Sequence, residues 1–218
     1  MSSVILSPAR LEGTVEIPPS KSAAHRALIC AALARGKSRI YPVELSKDIQ
    51  ATMRALETLG VFCKLEGKSL EMDSGGLFSR PEAVIDCIES GSTLRFLIPV
   101  AAAGGISARF AGRGLPPQRP IGVYMDCLPK AGVRCESIDR PQGEFPHGEG
   151  DCPEERAFLK IGGRLRPGIF ELPGNVSSQF ITGLLLALPL LDGGSEIRLT
   201  SPLESKGYVD LTRQIMAG

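Results

Sequence analysis

The sequence predicts an α/β fold that is built from three copies of one repeated unit. In each copy a small polar cluster precedes an apolar run of helical length, which is rich in Ala and Leu and ends at glycine. A short strand-like run and a second helix follow the glycine each time. Because the apolar helices are hydrophobic on nearly every face, we expect all three to be buried.

The three apolar helices are the most distinct elements of the repeat. Ser or Thr at their starts is typical of an N-cap, and Gly at their ends is typical of the C′ position. The helices lie in SKSAAHRALICAALARG (20–36), SGSTLRFLIPVAAAGG (90–105) and VSSQFITGLLLALPLLDGG (176–194).

The remaining elements follow in the same order in each copy. Strand-like runs are predicted at 38–43, 107–112 and 195–200, with an additional strand at 68–74. Second helices are predicted at 48–59, 121–131 and 208–217. Residues 139–157 are rich in Pro, Gly and charge, and are predicted to be a loop.

The third copy is shorter than the other two. The first two copies turn at Gly60 and Gly132 and continue into another strand, whereas the third reaches the corresponding turn at Gly218, the last residue. We therefore expect an incomplete third unit and a chain that is part of a longer protein. The alternative is a natural C-terminus at Gly218, with a third repeat that has become degenerate.

The amino-acid composition argues against several classes of function. Of the 218 residues 43% are hydrophobic, which excludes a disordered chain, and 25 basic against 24 acidic residues give a net charge of +1. This balance argues against a nucleic-acid or membrane-surface binder, and 5% aromatics without Trp argue against a base-stacking platform. Six cysteines without C-x₂₋₄-C spacing and only two histidines predict no metal site. With no apolar span and no signal-peptide pattern, we expect a cytoplasmic protein.

Polar side chains cluster at the start of each apolar helix. Free N–H groups and the helix dipole attract anions there, and Lys, Arg, Ser and Gly are the residues that phosphate binding requires. Ser and Thr capping explains any one cluster taken alone, whereas three equivalent clusters favour one shared anionic ligand. The clusters are PPSKSAAHR, ESGSTLR and GNVSSQ.

These motifs resemble those of a known enzyme family. PPSKSAAHRAL, ESGSTLRFL, QRPIG, NVSSQF and ESKGYVD are similar, in order and spacing, to the motifs of the EPSP synthase (3-phosphoshikimate 1-carboxyvinyltransferase) family. The resemblance covers the whole chain and about half of a family member. It implies an inside-out α/β barrel of βαβαββ-type units, with buried helices and outer sheets. Residues 1–18 would be a leading strand that crosses towards a second domain, and residues 19–218 an incomplete N-terminal domain.

The resemblance also implies an activity. Family members transfer the enolpyruvyl group of phosphoenolpyruvate to the 5-hydroxyl of shikimate 3-phosphate and release phosphate, without cofactor or metal, in aromatic amino-acid biosynthesis. Both substrates are anions, so the site must supply cations and fixed dipoles. The proton-transferring groups of the family lie mainly in the second domain. This chain would therefore hold half a site and be inactive alone, with that domain as its partner and a monomeric full-length protein.

Residue roles follow from the matched motifs. Lys21 is expected between the two substrates, as the catalytic cation. The shikimate 3-phosphate ligands implied besides Lys21 are Ser22, Arg26, Ser177, Ser178, Gln179, Ser205 and Tyr208. Those implied for phosphoenolpyruvate, again with Lys21, are Gly91, Arg119 and Gln179.

Four other polar residues near the motifs are not expected to bind substrate. His25 and Arg95 are interpreted as structural or supporting residues, and helix capping explains Asp48, although a role behind the site is possible. Glu89 departs from the Asn that is common in the family, and its carboxylate must turn away from an anion or pair with a cation.

Three alternatives remain. UDP-N-acetylglucosamine enolpyruvyl transferase shares the fold, but its first motif has Lys-Asn where Lys21-Ser22 stands, and its loop cysteine has no counterpart in GRGLPPQRP. An RNA-end cyclase of related fold lacks a basic surface here. A non-catalytic repeat scaffold would be indifferent to substitution at the three helix starts.

Overall fold

The computed structural model describes residues 3–5, 7, 8, 10, 12–113, 120–138 and 152–218. Within these ranges three helices form the centre of the molecule, and three more pack against them. The central helices are α1 (Lys21–Leu33), α3 (Gly91–Ala103) and α5 (Ser178–Ala187). The other helices are α2 (Lys47–Thr58), α4 (Gly122–Cys127) and α6 (Lys206–Ala217).

The strands of the described residues form three sheets. Antiparallel β1 (Lys37–Ile40), β3 (Ser69–Asp73) and β2 (Phe62–Glu66) form the first sheet in that order. The second sheet has the order β4 (Glu82–Asp86), β5 (Ser107–Ala111), β7 (Ala157–Gly163) and β6 (Val133–Ser137). Parallel β8 (Ile169–Leu172) and β9 (Glu196–Leu199) form the third.

The three sheets are parts of one pattern. The β1-β3-β2 arrangement repeats in β5-β7-β6, and the parallel pair β4-β5 repeats in β8-β9. Each parallel pair is joined by a crossover through a central helix, α3 or α5, as parallel strands require. The α/β fold of repeated units that the sequence predicts is confirmed.

The core is shared by the helices and the inner faces of the sheets. Helix α3 is buried from end to end except at Ser92, as its apolar sequence predicts. Helix α2 is amphipathic and buries Ile49, Ala55 and Leu56, which follow helical spacing. No helix of the described residues is long and apolar enough to cross a membrane.

Some boundaries differ from those predicted. The helix predicted at 121–131 ends at Cys127, and a 3₁₀ turn begins at Pro129, because proline has no N–H to continue the helix. In the predicted loop at 139–157, residues 139–151 lie outside the described residues, and Pro153–Arg156 forms a 3₁₀ turn.

The leading segment forms no strand with the rest of the chain, as far as its residues are described. Val4, Ile5, Val15 and Ile17 are all more than 80% exposed, although their side chains are apolar. The division into a crossing strand at 1–18 and a domain at 19–218 stays a prediction.

Helices α3 and α5 approach each other most closely at Gly183. A methyl group on Gly183 would overlap the hydroxyl of Tyr124 and lie 2.5 Å from the carbonyl oxygen of Arg95. Tyr124 Oη itself lies 2.8 Å from Arg95 O and 2.9 Å from Phe180 O, so one buried hydroxyl joins both helices. Only glycine permits this contact.

We predict that Gly183→Ala destabilises the fold by about 1–3 kcal/mol, because the added carbon forces the helices apart or displaces Tyr124. Urea denaturation of the purified chain measures the change. Gly122→Ala is the matched control in a helix, since a carbon there meets no atom within 4 Å. Equal stability of the two variants would contradict a close contact of α3 and α5 that requires glycine at position 183.

Candidate functional site

The three central helices begin in the same way. Ser20, Ser90 and Ser177 are N-caps whose hydroxyls accept hydrogen bonds from the first turn of α1, α3 and α5, at 3.3, 3.1 and 3.3 Å. Each cap satisfies one of the free N–H groups, and the others remain to bind an anion. The N-caps predicted from the sequence are confirmed.

The starts of α3 and α5 are joined directly by Gln179. Its side-chain Nε2 donates to Ser92 Oγ at 2.9 Å, and its Oε1 accepts from Arg95 Nη1 at 2.6 Å. Ser92 and Arg95 belong to α3, and Gln179 is the second residue of α5. The second and third repeats therefore meet at one polar junction.

The starts of α1 and α3 are joined through α2 by a buried chain of hydrogen bonds. His25 Nδ1 and Thr93 Oγ1 each lie 2.7 Å from Thr52 Oγ1, and Thr93 Oγ1 donates to Ser90 Oγ at 2.7 Å. Because a hydroxyl has one hydrogen, Thr93 must accept from Thr52, and Thr52 from His25. This order places the imidazole proton on Nδ1.

His25 is neutral in this setting. It is 2% exposed, and burial lowers its pKa from 6.5 to about 4, an effect that Lys21 and Arg26 reinforce and Asp48 opposes. His25 therefore holds the helices together as a hydrogen-bond donor and not as a charge.

Arg26 is buried between α1, α5 and α6. Its Nε donates to Thr212 Oγ1 at 2.7 Å and its Nη2 to Thr182 Oγ1 at 3.2 Å. Its Nη1 donates to the Ser22 carbonyl at 2.7 Å, and its Nη2 also lies 3.4 Å from the Tyr208 carbonyl. The guanidinium is 5.2 Å from the centre of the Phe96 ring. These four hydrogen bonds use four of the five N–H hydrogens of the guanidinium, and the contact to Tyr208 is the longest of them.

Lys21 lies at the exposed start of α1. Its ammonium forms an ion pair of 2.5 Å with Asp48, which lies in the first turn of α2 after the N-cap Ser46. Capping alone therefore does not account for Asp48. Its carboxylate holds the lysine that the sequence singles out as the cation of the site.

The turn before Gly91 is held in an unusual backbone conformation. Ile88 has a φ of 51°, which is rare for a β-branched residue. Its N–H donates to Asp86 Oδ1 at 2.9 Å, and the buried Arg156 donates to the other oxygen of that carboxylate at 3.0 Å. The strain is thus stabilised by an ion pair that also joins β4 to the start of β7, and it fixes the path into α3.

The remaining predicted residues occupy less constrained positions. Gly91 is buried as the first residue of α3, Ser178 is buried as the first residue of α5, and Ser22 is partly buried. Ser205 precedes α6 without forming a capping hydrogen bond, and Tyr208 is half exposed.

Arg119 and Glu89 are the two remaining charged residues that the motif analysis named. Arg119 lies outside the described residues. Glu89 is exposed, one residue before the cap of α3, and we find no ion pair for it among the described contacts.

Sequence reasoning missed Thr52, Thr182 and Thr212, and placed Thr93 only within the cluster ESGSTLR. All four threonines are fully buried. Thr52 is the partner of His25 and is itself bonded to Thr93, whereas Thr182 and Thr212 accept from Arg26. The available signal was a polar residue on an apolar helix face, as with Thr52, which lies between Ile49 and Leu56 in helical spacing.

A cavity of about 560 Å³ lies on the second sheet, away from the helix starts. It is lined by the basic residues Arg80, Arg109 and Lys160 and by the acidic residues Glu82 and Glu154. Among the described residues no cluster of His, Cys, Asp and Glu is suited to hold a metal ion.

Comparisons with known proteins agree with the motifs. A family model described as EPSP synthase (3-phosphoshikimate 1-carboxyvinyltransferase) matches residues 5–218. The 3-phosphoshikimate 1-carboxyvinyltransferase of Clostridium kluyveri is 44% identical over 97% of this chain and 46% of its own length. That of Clostridioides difficile is 43% identical over 97% of this chain and 47% of its own. The chain thus spans about half the length of the curated relatives it matches.

A solved structure agrees with the fold. The EPSP synthase of Acinetobacter baumannii superposes with a TM-score of 0.70 over 88% of this chain and 41% of its own, at 21% identity. At that identity the likeness concerns the fold alone.

We predict that His25 makes the fold sensitive to acid. The unfolded chain binds a proton at this residue near pH 6.5 and the folded chain only near pH 4. Stability present above pH 6.5 is therefore lost as the pH falls towards 4, by about 3 kcal/mol. Urea denaturation at pH 7 and pH 4 should show a smaller loss in His25→Gln than in the unmodified chain.

The control for this measurement is His147→Gln, which changes the other histidine of the sequence. It should retain the pH dependence of the unmodified chain. An unchanged pH dependence in His25→Gln would refute the burial of a neutral imidazole.

Proposed function

The chain belongs to the EPSP synthase family, and we propose that it supplies the part of the enzyme that binds shikimate 3-phosphate. The observation that carries this proposal is the joining of three helix N-termini by side chains, through Gln179 on one side and Thr52 on the other. First turns held together in this way offer several N–H donors to one anion.

The whole protein would transfer the enolpyruvyl group. In the proposed reaction the 5-hydroxyl of shikimate 3-phosphate loses its proton and its oxygen forms a bond to C2 of phosphoenolpyruvate, while a proton adds to the methylene carbon. The tetrahedral intermediate then loses phosphate, together with a proton from the former methylene carbon, which regenerates the enol ether. The site has to hold two anions side by side throughout the reaction. Fixed cations and N–H dipoles are therefore its main requirement.

The third repeat would hold the shikimate phosphate. Ser177 and Ser178 stand at the start of α5, where hydroxyl and backbone N–H groups are close together. Ser205 precedes α6 with its hydroxyl not used for capping, so it can donate to the same group. Tyr208 would cover the shikimate ring with its half-exposed aromatic side chain.

The first repeat would supply the charge. Lys21 would contact both substrates, and Ser22 and Arg26 would lie on the side of the shikimate carboxylate. Arg26 is one turn after Ser22 on the same helix face, which suits a shared ligand, although its hydrogen bonds to Thr182 and Thr212 also give it a structural task.

The second repeat would bind phosphoenolpyruvate. Gly91 lets a substrate approach the backbone N–H groups of α3 closely, and Gln179 and Arg119 would add side-chain donors. We infer that this chain alone does not catalyse the transfer, since the further groups expected from the second domain are required. Its cytoplasmic location and the monomeric state of the full-length protein stay predictions.

Binding of shikimate 3-phosphate to this chain, measured by calorimetric titration, tests the proposal. Saturable binding that shikimate does not reproduce is the expected result, because the phosphate should provide most of the affinity. UDP-N-acetylglucosamine, the substrate of the rival transferase, should not bind. Absence of shikimate 3-phosphate binding to the folded chain would contradict the proposal.

We predict that Lys21→Ala weakens this binding by about 10- to 100-fold, which corresponds to the loss of one charge-assisted hydrogen bond. Lys64→Ala is the matched control, because Lys64 is likewise an exposed lysine in an ion pair, with Glu66, but lies on β2. Equal affinities in the two variants would favour a scaffold that is indifferent to its helix starts.

A further inference from the structure

We propose that Arg95 is a positioning residue that locks the amide of Gln179 in one orientation, so that the junction of α3 and α5 presents the amide N–H of Gln179 and the O–H of Ser92 as donors to an oxyanion. This inference deepens the proposed function and rests on it for the identity of the ligand. The orientation of the amide itself rests on the contacts of the side chains alone.

The lock follows from the chemistry of the two groups. A guanidinium has donors and no acceptor, so the atom of Gln179 that faces Arg95 Nη1 at 2.6 Å has to be the carbonyl oxygen. A rotated amide would place its NH₂ against the guanidinium, where two donors meet. Gln179 therefore has its nitrogen on the side of Ser92, at 2.9 Å.

Arg95 is itself fixed by its surroundings. It is 8% exposed, and its Nη2 donates to the Pro120 carbonyl at 3.1 Å. Its guanidinium lies 4.9 Å from the centre of the Phe180 ring, and Tyr124 holds its backbone carbonyl. Because the guanidinium is nearly buried among these contacts, we infer that Arg95 acts on a ligand through Gln179 and not by direct contact.

The consequence for a ligand is a matter of counting hydrogens. Gln179 Nε2 has two hydrogens and gives one to Ser92, so the second can be donated to a ligand. Ser92 Oγ accepts from Gln179, which leaves its own hydrogen to donate. Together with the N–H groups of the first turns of α3 and α5, these groups suit phosphate or carboxylate oxygens and repel cations.

The same guanidinium also contacts Pro120, the first described residue after position 113. Pro120, whose carbonyl accepts from Arg95, directly follows Arg119 in the sequence, and Arg119 is a predicted phosphoenolpyruvate ligand. One buried residue thus contacts both Gln179 and Pro120.

Two measurements on the chain test the lock. The first is the side-chain NH₂ signal of Gln179 in ¹⁵N–¹H NMR spectra, identified by its disappearance in Gln179→Glu. The second is the affinity for shikimate 3-phosphate, with inorganic phosphate as a simpler anion. The NMR signal requires no ligand, so it decides on the lock even if the unmodified chain binds neither anion and the proposed function fails.

Arg95→Met should move the Gln179 signals towards those of a free glutamine and lower the affinity for shikimate 3-phosphate about tenfold. Arg95→Lys retains one donor for Oε1 and should restore most of both properties, which a purely structural role for the guanidinium would not predict. Arg39→Met, at an exposed arginine on β1 that pairs with Glu71, should change neither.

Gln179→Glu distinguishes the effect of the amide donor on anion binding from any effect on the stability of the fold. A carboxylate keeps an acceptor for Arg95, so resistance to urea should not fall, but an oxygen replaces the donor and affinity for both anions should fall at least as far as in Arg95→Met. Unchanged Gln179 signals in Arg95→Met would overturn the proposal. So would equal affinities of Gln179→Glu and the unmodified chain for an anion that the unmodified chain binds.

Discussion

The packing of α3 against α5 at Gly183 is the constraint on which the rest of this structure depends. With no side chain between them, the two helices come close enough for one hydroxyl, that of Tyr124, to reach a carbonyl on each. The same closeness brings Gln179 within reach of Ser92 and Arg95. A side chain at position 183 would meet the Tyr124 hydroxyl and the Arg95 carbonyl oxygen, so this contact depends on glycine.

Buried hydroxyls take a role in this protein that ion pairs take in many others. Thr52 and Thr93 connect α1, α2 and α3, whereas Thr182 and Thr212 accept from Arg26 and connect α1, α5 and α6. A hydroxyl satisfies a buried donor at a smaller desolvation cost than a carboxylate. It also adds no negative charge to a region that we propose for anions.

The repeat made much of the fold predictable, and the site only in part. Equivalent polar residues at three helix starts predicted a shared site around Lys21, Gly91 and Gln179, and the contacts of Gln179 with Ser92 and Arg95 join two of those starts. The threonine contacts and the pairing of Lys21 with Asp48 could not be predicted, because both depend on how separate repeats are packed. Likewise, the sequence ranked Arg26 as a ligand, since nothing in a linear motif reveals that Thr182 and Thr212 lie beside its guanidinium.

The ion pair of Lys21 with Asp48 affects the free energy with which a ligand can bind. A lysine side chain has four rotatable bonds, and ordering it on binding costs about 0.5–1.5 kcal/mol. Asp48 already restrains the ammonium over the start of α1, so much of that ordering precedes the arrival of a ligand. An incoming anion would then compete with the Asp48 carboxylate for the Lys21 ammonium, and both interactions would weaken as the ionic strength rises.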